Sequence, residues 1–223
     1  MKRAFFLAFI LVAATAFTVA AQTPSKSAPA QTPAKPSATP VAADPHAGHN
    51  HGGAPAPAAA EPTAAAKWFT DVELINQDGQ KMRFYSDVLR GKVVVVNAFF
   101  TTCTSVCPPM NRNFEKIQDA LGERLGKEVY LVSISVDPVT DTPPRMKEYA
   151  RKFNARPGWL FLTGKKENVD WALYKLGQYV EAKDDHKTIV IIGNESKGLW
   201  KKAFGLAKSE ELVKIVEDTL KDQ

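Results

Sequence analysis

Lys92-Val93-Val94-Val95-Val96-Asn97-Ala98-Phe99-Phe100 runs directly into Thr101-Thr102-Cys103-Thr104-Ser105-Val106-Cys107-Pro108-Pro109-Met110. The first half is an unbroken β-branched and aromatic run, the pattern of a strand buried on both faces of a sheet. The second half is a loop ending in two prolines, which suit the first turn of a helix, and Phe114, Ile117 and Leu121 then recur along one helical side. A strand feeding straight into a helix predicts an α/β architecture. Cys103 and Cys107 are the only two cysteines in the chain, and both stand at that strand-to-helix turn.

The alternation continues downstream. Val129 to Val136 reads as a second buried strand, and Asp141-Thr142-Pro143-Pro144 combines a capping residue with proline at the first helical position, predicting a helix to about Phe153. Trp159 to Leu162 is too short to assign. Glu167 to Leu176 carries Val169, Ala172, Leu173 and Leu176 on one helical face, Thr188 to Ile192 and Leu199 to Phe204 read as strands around the turn Asn194–Gly198, and a final helix follows Ser209. Upstream, Asn76-Gln77-Asp78-Gly79 is a turn between short segments. Alternating elements closed by a hairpin predict a mixed sheet covered by helices.

The N-terminal third has a different composition. Lys2 and Arg3 precede an uncharged run from Ala4 to Ala21 that ends in Val19-Ala20-Ala21, the signature of a secretory signal with a small-residue cleavage site. An uncleaved single-span anchor is the other reading of residues 1–21. Residues 22–66 consist mainly of Ala, Pro, Thr, Ser and Gly with no apolar periodicity, so they cannot bury enough surface to offset their ordering entropy and are expected to form a disordered tether. The folded domain is expected over residues 67–223.

Charge excludes one class of function. Of 29 basic and 24 acidic residues, 25 and 22 lie beyond residue 66, a net of +3 over 157 residues. That is no nucleic-acid footprint.

Export sharpens the question of the cysteines, because thiols outside the cytoplasm oxidise unless a reductant or a metal holds them. A structural disulfide would close a very short loop and add little by loop entropy, which favours a functional pair. At a helix start, unpaired amides and the positive end of the dipole favour thiolates, priming both sulfurs to attack or to ligate. Positions i and i+4 would also share a helix face if the helix reached back to Cys103.

Three blocks of this sequence together resemble a known family. Phe100-Thr101-x-Cys103-x-x-x-Cys107-Pro108, then Ser133-x-Ser135-Val136-Asp137-Pro138-x-x-Asp141-Thr142-Pro143, then Met146-Lys147-Glu148-Tyr149-x-x-x-Phe153 are similar to the Sco/SenC proteins, over roughly residues 68 to 220. The resemblance implies a thioredoxin-like fold and a copper site completed by a histidine near the C-terminal hairpin. His186, in Asp184-Asp185-His186-Lys187-Thr188, falls at that place and is the only histidine beyond residue 66. Taken alone it reads as an ordinary loop histidine; with the resemblance it becomes the third ligand beside Cys103 and Cys107. Two thiolates and one imidazole suit trigonal Cu(I), whereas Zn(II) would seek a fourth ligand, and oxidation to a disulfide would abolish the site.

Two functions follow. The first is an exported copper metallochaperone, periplasmic and either free or tethered to the inner membrane, delivering copper to the CuA site of cytochrome c oxidase subunit II or to another exported copper protein. The second is a thiol-disulfide oxidoreductase in which Cys103 attacks and Cys107 resolves, with a thiol reductant as its partner. A peroxidase-like enzyme would need an arginine or a polar pocket to activate one cysteine, and the sequence does not place Arg112 or Arg156 there, so it ranks below the other two. Thr104-Ser105 replaces the Pro-Asp common in the family, and Lys187 follows the histidine where a small hydroxyl residue is usual. Asp137 and Asp141 read as turn and cap residues, and Met82, Met110 and Met146 as packing residues. His46, His49 and His51 in the tether form either a transient metal-capture cluster or part of a solvated linker.

Overall fold

The computed structural model describes residues 64–221; the signal or anchor segment and residues 22–63 of the tether, with its histidines, lie outside them, whereas residues 64–66, expected to belong to the tether, open the helix Ala64–Phe69. Among the described residues seven strands form one sheet: β1 (Glu73–Asn76), β2 (Lys81–Arg83), β3 (Val93–Phe99), β4 (Val129–Ser135), β5 (Trp159–Thr163), β6 (Ile189–Asn194) and β7 (Leu199–Phe204). Their order is β2-β1-β5-β4-β3-β6-β7. β3 pairs in parallel with β4, and β4 with β5, while β6, β7, β1 and β2 join antiparallel, so the sheet is mixed. The helices are α1 (Ala64–Phe69), α2 (Cys107–Leu121), α3 (Pro143–Arg151), α4 (Lys166–Lys175) and α5 (Ser209–Lys221).

The central position of β3 follows from its side chains. Every residue from Val93 to Phe99 is buried, because alternate positions enter two separate cores. Val93, Val95 and Phe99 pack with Phe114 and Ile117 of α2, Met146 of α3 and Val216 of α5. Val94, Val96 and Ala98 pack with Phe84, Val88 and Leu89 of a π-helical turn and with Val169 and Leu173 of α4. Met110 and Met146 are fully buried and Met82 packs at the edge of the second core, as expected of packing residues.

The structure assigns one segment that the sequence leaves open and shifts one helix cap. Trp159–Thr163, too short to assign from sequence, is the strand β5 between β4 and β1. What makes it a strand is its partners: its foot closes where the Leu131 amide donates to the Gly158 carbonyl at 2.9 Å. There Gly158 (φ +101°) lies so near Gly126 that a Cβ would meet the Gly126 amide nitrogen at 2.5 Å. Thr142, not Asp141, is the residue before α3, and its side chain caps no amide. Pro143 still opens the helix as expected. As expected, Cys107 lies in the first turn of α2 and Cys103 in the loop before it, so a loop and not a shared helix face brings the sulfurs together.

Candidate metal centre

β3 delivers Phe100 and the loop after it to the end of the sheet beside the parallel strand β4. The Thr101 amide and hydroxyl donate to the Asp141 carboxylate, and the Ser135 hydroxyl at the end of β4 donates to its other oxygen at 2.6 Å. Asp141 is fully buried. It therefore acts as an internal clamp between the β3–α2 loop and the β4–α3 loop, a structural role as expected but a different one from helix capping. Beyond it the Cys103 amide donates to the Phe100 carbonyl at 3.1 Å, turning the chain. Cys103 Sγ then accepts the first amide of α2, that of Cys107, at 3.4 Å. In effect the sulfur of Cys103 caps the helix that carries the other cysteine.

His186 comes from far away in sequence, on the loop leading into β6. Its Nδ1 lies 3.0 Å from the Lys183 carbonyl, and a carbonyl can only accept, so Nδ1 carries the hydrogen. In the neutral ring Nε2 then holds a lone pair, which points at Cys107 Sγ from 3.1 Å. Burial holds the His186 imidazole below its ordinary pKa, consistent with this neutral form. The Phe100 ring meets the imidazole edge-on, centroids 5.2 Å apart. Lys183 ties the arrangement together: Nζ pairs with Asp137 at 2.8 Å and lies 5.3 Å above the Phe100 ring.

The two sulfurs and one imidazole nitrogen lie within 4.8 Å of one another, and all three residues are buried. No other group of three or more Cys, His, Asp or Glu residues among the described residues is so arranged. Two nearby carboxylates are engaged elsewhere, Asp141 by Thr101 and Ser135 and Asp137 by Lys183 and the Thr140 amide. The donor set is thus two soft sulfurs and one borderline nitrogen, which fits a small, soft, low-coordinate ion better than an oxygen-seeking one.

Electrostatics separate the two sulfurs, contrary to the expectation that both favour the thiolate. Burial opposes ionisation of Cys103, but hydrogen bonds from the side chain and amide of Cys107, and from Ser105, outweigh it and leave the thiol below its ordinary range. Ser105 Oγ lies 3.8 Å from Cys103 Sγ. Cys107 is pushed well up, first by burial and then by its hydrogen bond to Cys103. A protonated Cys107 carries a single hydrogen, which can go either to Cys103 Sγ or to His186 Nε2, 3.1 Å away. The cysteines are free thiols.

The remaining predicted participants lie elsewhere. Arg112 pairs with Glu115 and covers Phe153, and Arg156 binds the Gln118 carbonyl and Asp119, so both are engaged away from the cysteines. Lys187 is exposed and donates to the Gly177 carbonyl. Lys183 and Phe100 are the residues that sequence reasoning missed as parts of this site. Phe100 belongs to the quoted motif, but no spacing rule links Lys183 to Asp137.

The family model for SCO1/SenC proteins matches residues 60–221. A SCO1 homolog from Bacillus subtilis is 36% identical over 91 residues, 40% of this chain and 45% of the relative. A SCO2-like protein from Rickettsia conorii is 33% identical over 99 residues, 44% of this chain and 46% of the relative. The chain therefore spans about half the length of these relatives. Among solved structures, a SCO1/SenC family lipoprotein from Bacillus anthracis is 28% identical with a TM-score of 0.57, covering 66% of this chain and 91% of that one. ScoI from Arabidopsis thaliana, solved with copper bound, is 25% identical with a TM-score of 0.56, covering 68% and 96%. With its thioredoxin-like mixed sheet and the match of the family model across its whole described part, the chain belongs to the SCO1/SenC family.

Proposed function

We propose that the protein is an exported copper-binding metallochaperone that holds Cu(I) through Cys103 Sγ, Cys107 Sγ and His186 Nε2 and passes it to an exported acceptor. The observation that carries this reading is the buried convergence of two sulfurs with an imidazole whose lone pair is already turned toward them. A dithiol used only for redox exchange would have no need of that imidazole. The related ScoI structure was solved with copper bound, which supports copper as the metal.

The acceptor we assign is the CuA site of cytochrome c oxidase subunit II, as the family resemblance implies. Transfer would proceed by ligand exchange, with incoming donors replacing His186 first because an imidazole is a weaker partner for a soft ion than a thiolate. Copper binding and thiol oxidation are mutually exclusive, since a Cys103–Cys107 disulfide removes two of three donors. The export assignment rests on residues 1–21; among the described residues no helix is long and apolar enough to cross a membrane.

An anaerobic competition titration tests the proposal. The reduced protein should bind one Cu(I) per chain, the oxidised protein should bind none at that site, and each single Cys→Ser variant should lose the tight phase. Undiminished affinity in the oxidised form would overturn the assignment. Transfer is tested by mixing the loaded protein with the copper-free soluble domain of subunit II and following the CuA absorption.

A further inference from the structure

On the face of the sheet covered by α1 and α4 lies a groove of about 660 Å³, whose walls include Trp68, Tyr174, Lys175, Leu176 and Trp200. It is built from the second core and is separate from the metal centre's residues. Its floor is the Trp200 indole, which lies flat on β6 because Gly193 has no side chain: a Cβ there would come within 2.2 Å of the indole ring. Phe69 holds the indole from one side, centroids 5.0 Å apart. One wall is fixed by the Trp68 indole N–H, which donates to the Lys175 carbonyl, while Lys175 Nζ sits 4.2 Å above the Trp68 ring. These aromatic surfaces are held rigid yet remain open, Trp68 being 54% and Tyr174 59% exposed. Rigid, solvent-facing indole and phenol rings are costly to leave wet and cheap to cover, since little side-chain entropy remains to be lost.

We propose that this groove is the docking site for the chain's own segment 55–62, Pro55-Ala56-Pro57-Ala58-Ala59-Ala60-Glu61-Pro62. The segment enters α1 through Thr63 alone, and Ala64 is itself part of the groove's wall, so the occupant is delivered at the groove's mouth at high effective concentration. Its chemistry suits the walls. Three prolines and small alanines favour an extended polyproline helix, which has few donors to satisfy, loses little entropy on docking and is recognised by aromatic-lined grooves. Its only charge is Glu61 and the groove's rim is basic, with Lys175 and Lys202. Docking gives the Ala/Pro-rich sequence a binding role.

The test uses the full chain labelled with 5-fluorotryptophan, which reports on all four tryptophans at once. Residues 55–62 are replaced by an equal length of Gly and Ser, and separately Tyr174 is changed in Tyr174→Ala. Both changes should move the ¹⁹F signals of Trp68 and Trp200 toward free tryptophan and raise their H₂O/D₂O solvent shift. The buried Trp159 should stay unchanged and so report that the fold is intact. Identical Trp68 and Trp200 signals in wild type and the Gly/Ser chain would overturn the proposal. So would a wild-type signal that shifts on dilution, which would assign the groove to a second copy of the chain.

Discussion

His186 Nε2 stands 3.1 Å from Cys107 Sγ while its Nδ1–H is held by the Lys183 carbonyl at 3.0 Å. The second contact decides the meaning of the first. With the hydrogen fixed on Nδ1, the nitrogen facing the sulfurs is a lone pair, which can accept the Cys107 thiol proton or bind a metal in its place.

Removing that lone pair is the most direct test of the donor set. In His186→Ala, Cu(I) affinity should fall by more than the ~10–100-fold typical of outer-shell changes, while Cys103 and Cys107 still form a disulfide on oxidation. Competition with a chromogenic Cu(I) chelator reads the first effect and thiol counting the second.

Lys183 offers a subtler test because its backbone carbonyl, which orients the imidazole, survives substitution. Lys183→Ala removes the Asp137 ion pair and the cation above Phe100, and should loosen the loop and weaken Cu(I) binding by about tenfold. Lys183→Arg should recover most of the loss. Broadened His186 imidazole resonances in the alanine variant, sharp again in the arginine variant, would identify positioning as the cause.

The unequal thiols predict an order of reaction. At neutral pH in the reduced, metal-free protein, iodoacetamide should modify Cys103 first, its rate rising with pH to a plateau below that of an ordinary cysteine, with Cys107 following only in strong alkali. The sign for copper follows. Because Cys107 must lose a proton to ligate, Cu(I) affinity should rise with pH by about tenfold per unit for each proton released. Mass spectrometry of the alkylated peptides and chelator titrations at three pH values check the two statements.

Asp141 ties two loops together from a fully buried position. Asp141→Ala leaves the Thr101 amide and the Ser135 hydroxyl without their acceptor and should cost about 3 kcal/mol of stability. A urea midpoint within error of wild type would show that the clamp contributes nothing.

The sequence by itself determined the alternation of strands and helices, the burial of β3 on both faces and the placing of Cys107 at a helix start. These are consequences of local pattern, of β-branched runs and prolines that act within a few residues. It also supplied all three donors, though His186 was legible only through resemblance, since 79 residues separate it from Cys107 and no periodicity spans such a gap. Tertiary structure decided the rest. β5 is a strand because β4 and β1 flank it, Asp141 is a clamp because Thr101 and Ser135 converge on it, and Lys183 belongs to the site because Asp137 and Phe100 meet it across the fold. The two cysteines, alike in sequence, differ in acidity because folding buries one sulfur beside an imidazole and gives the other the amide of a helix. Burial and long-range hydrogen bonds are set by which segments pack together, so chain order alone does not carry them.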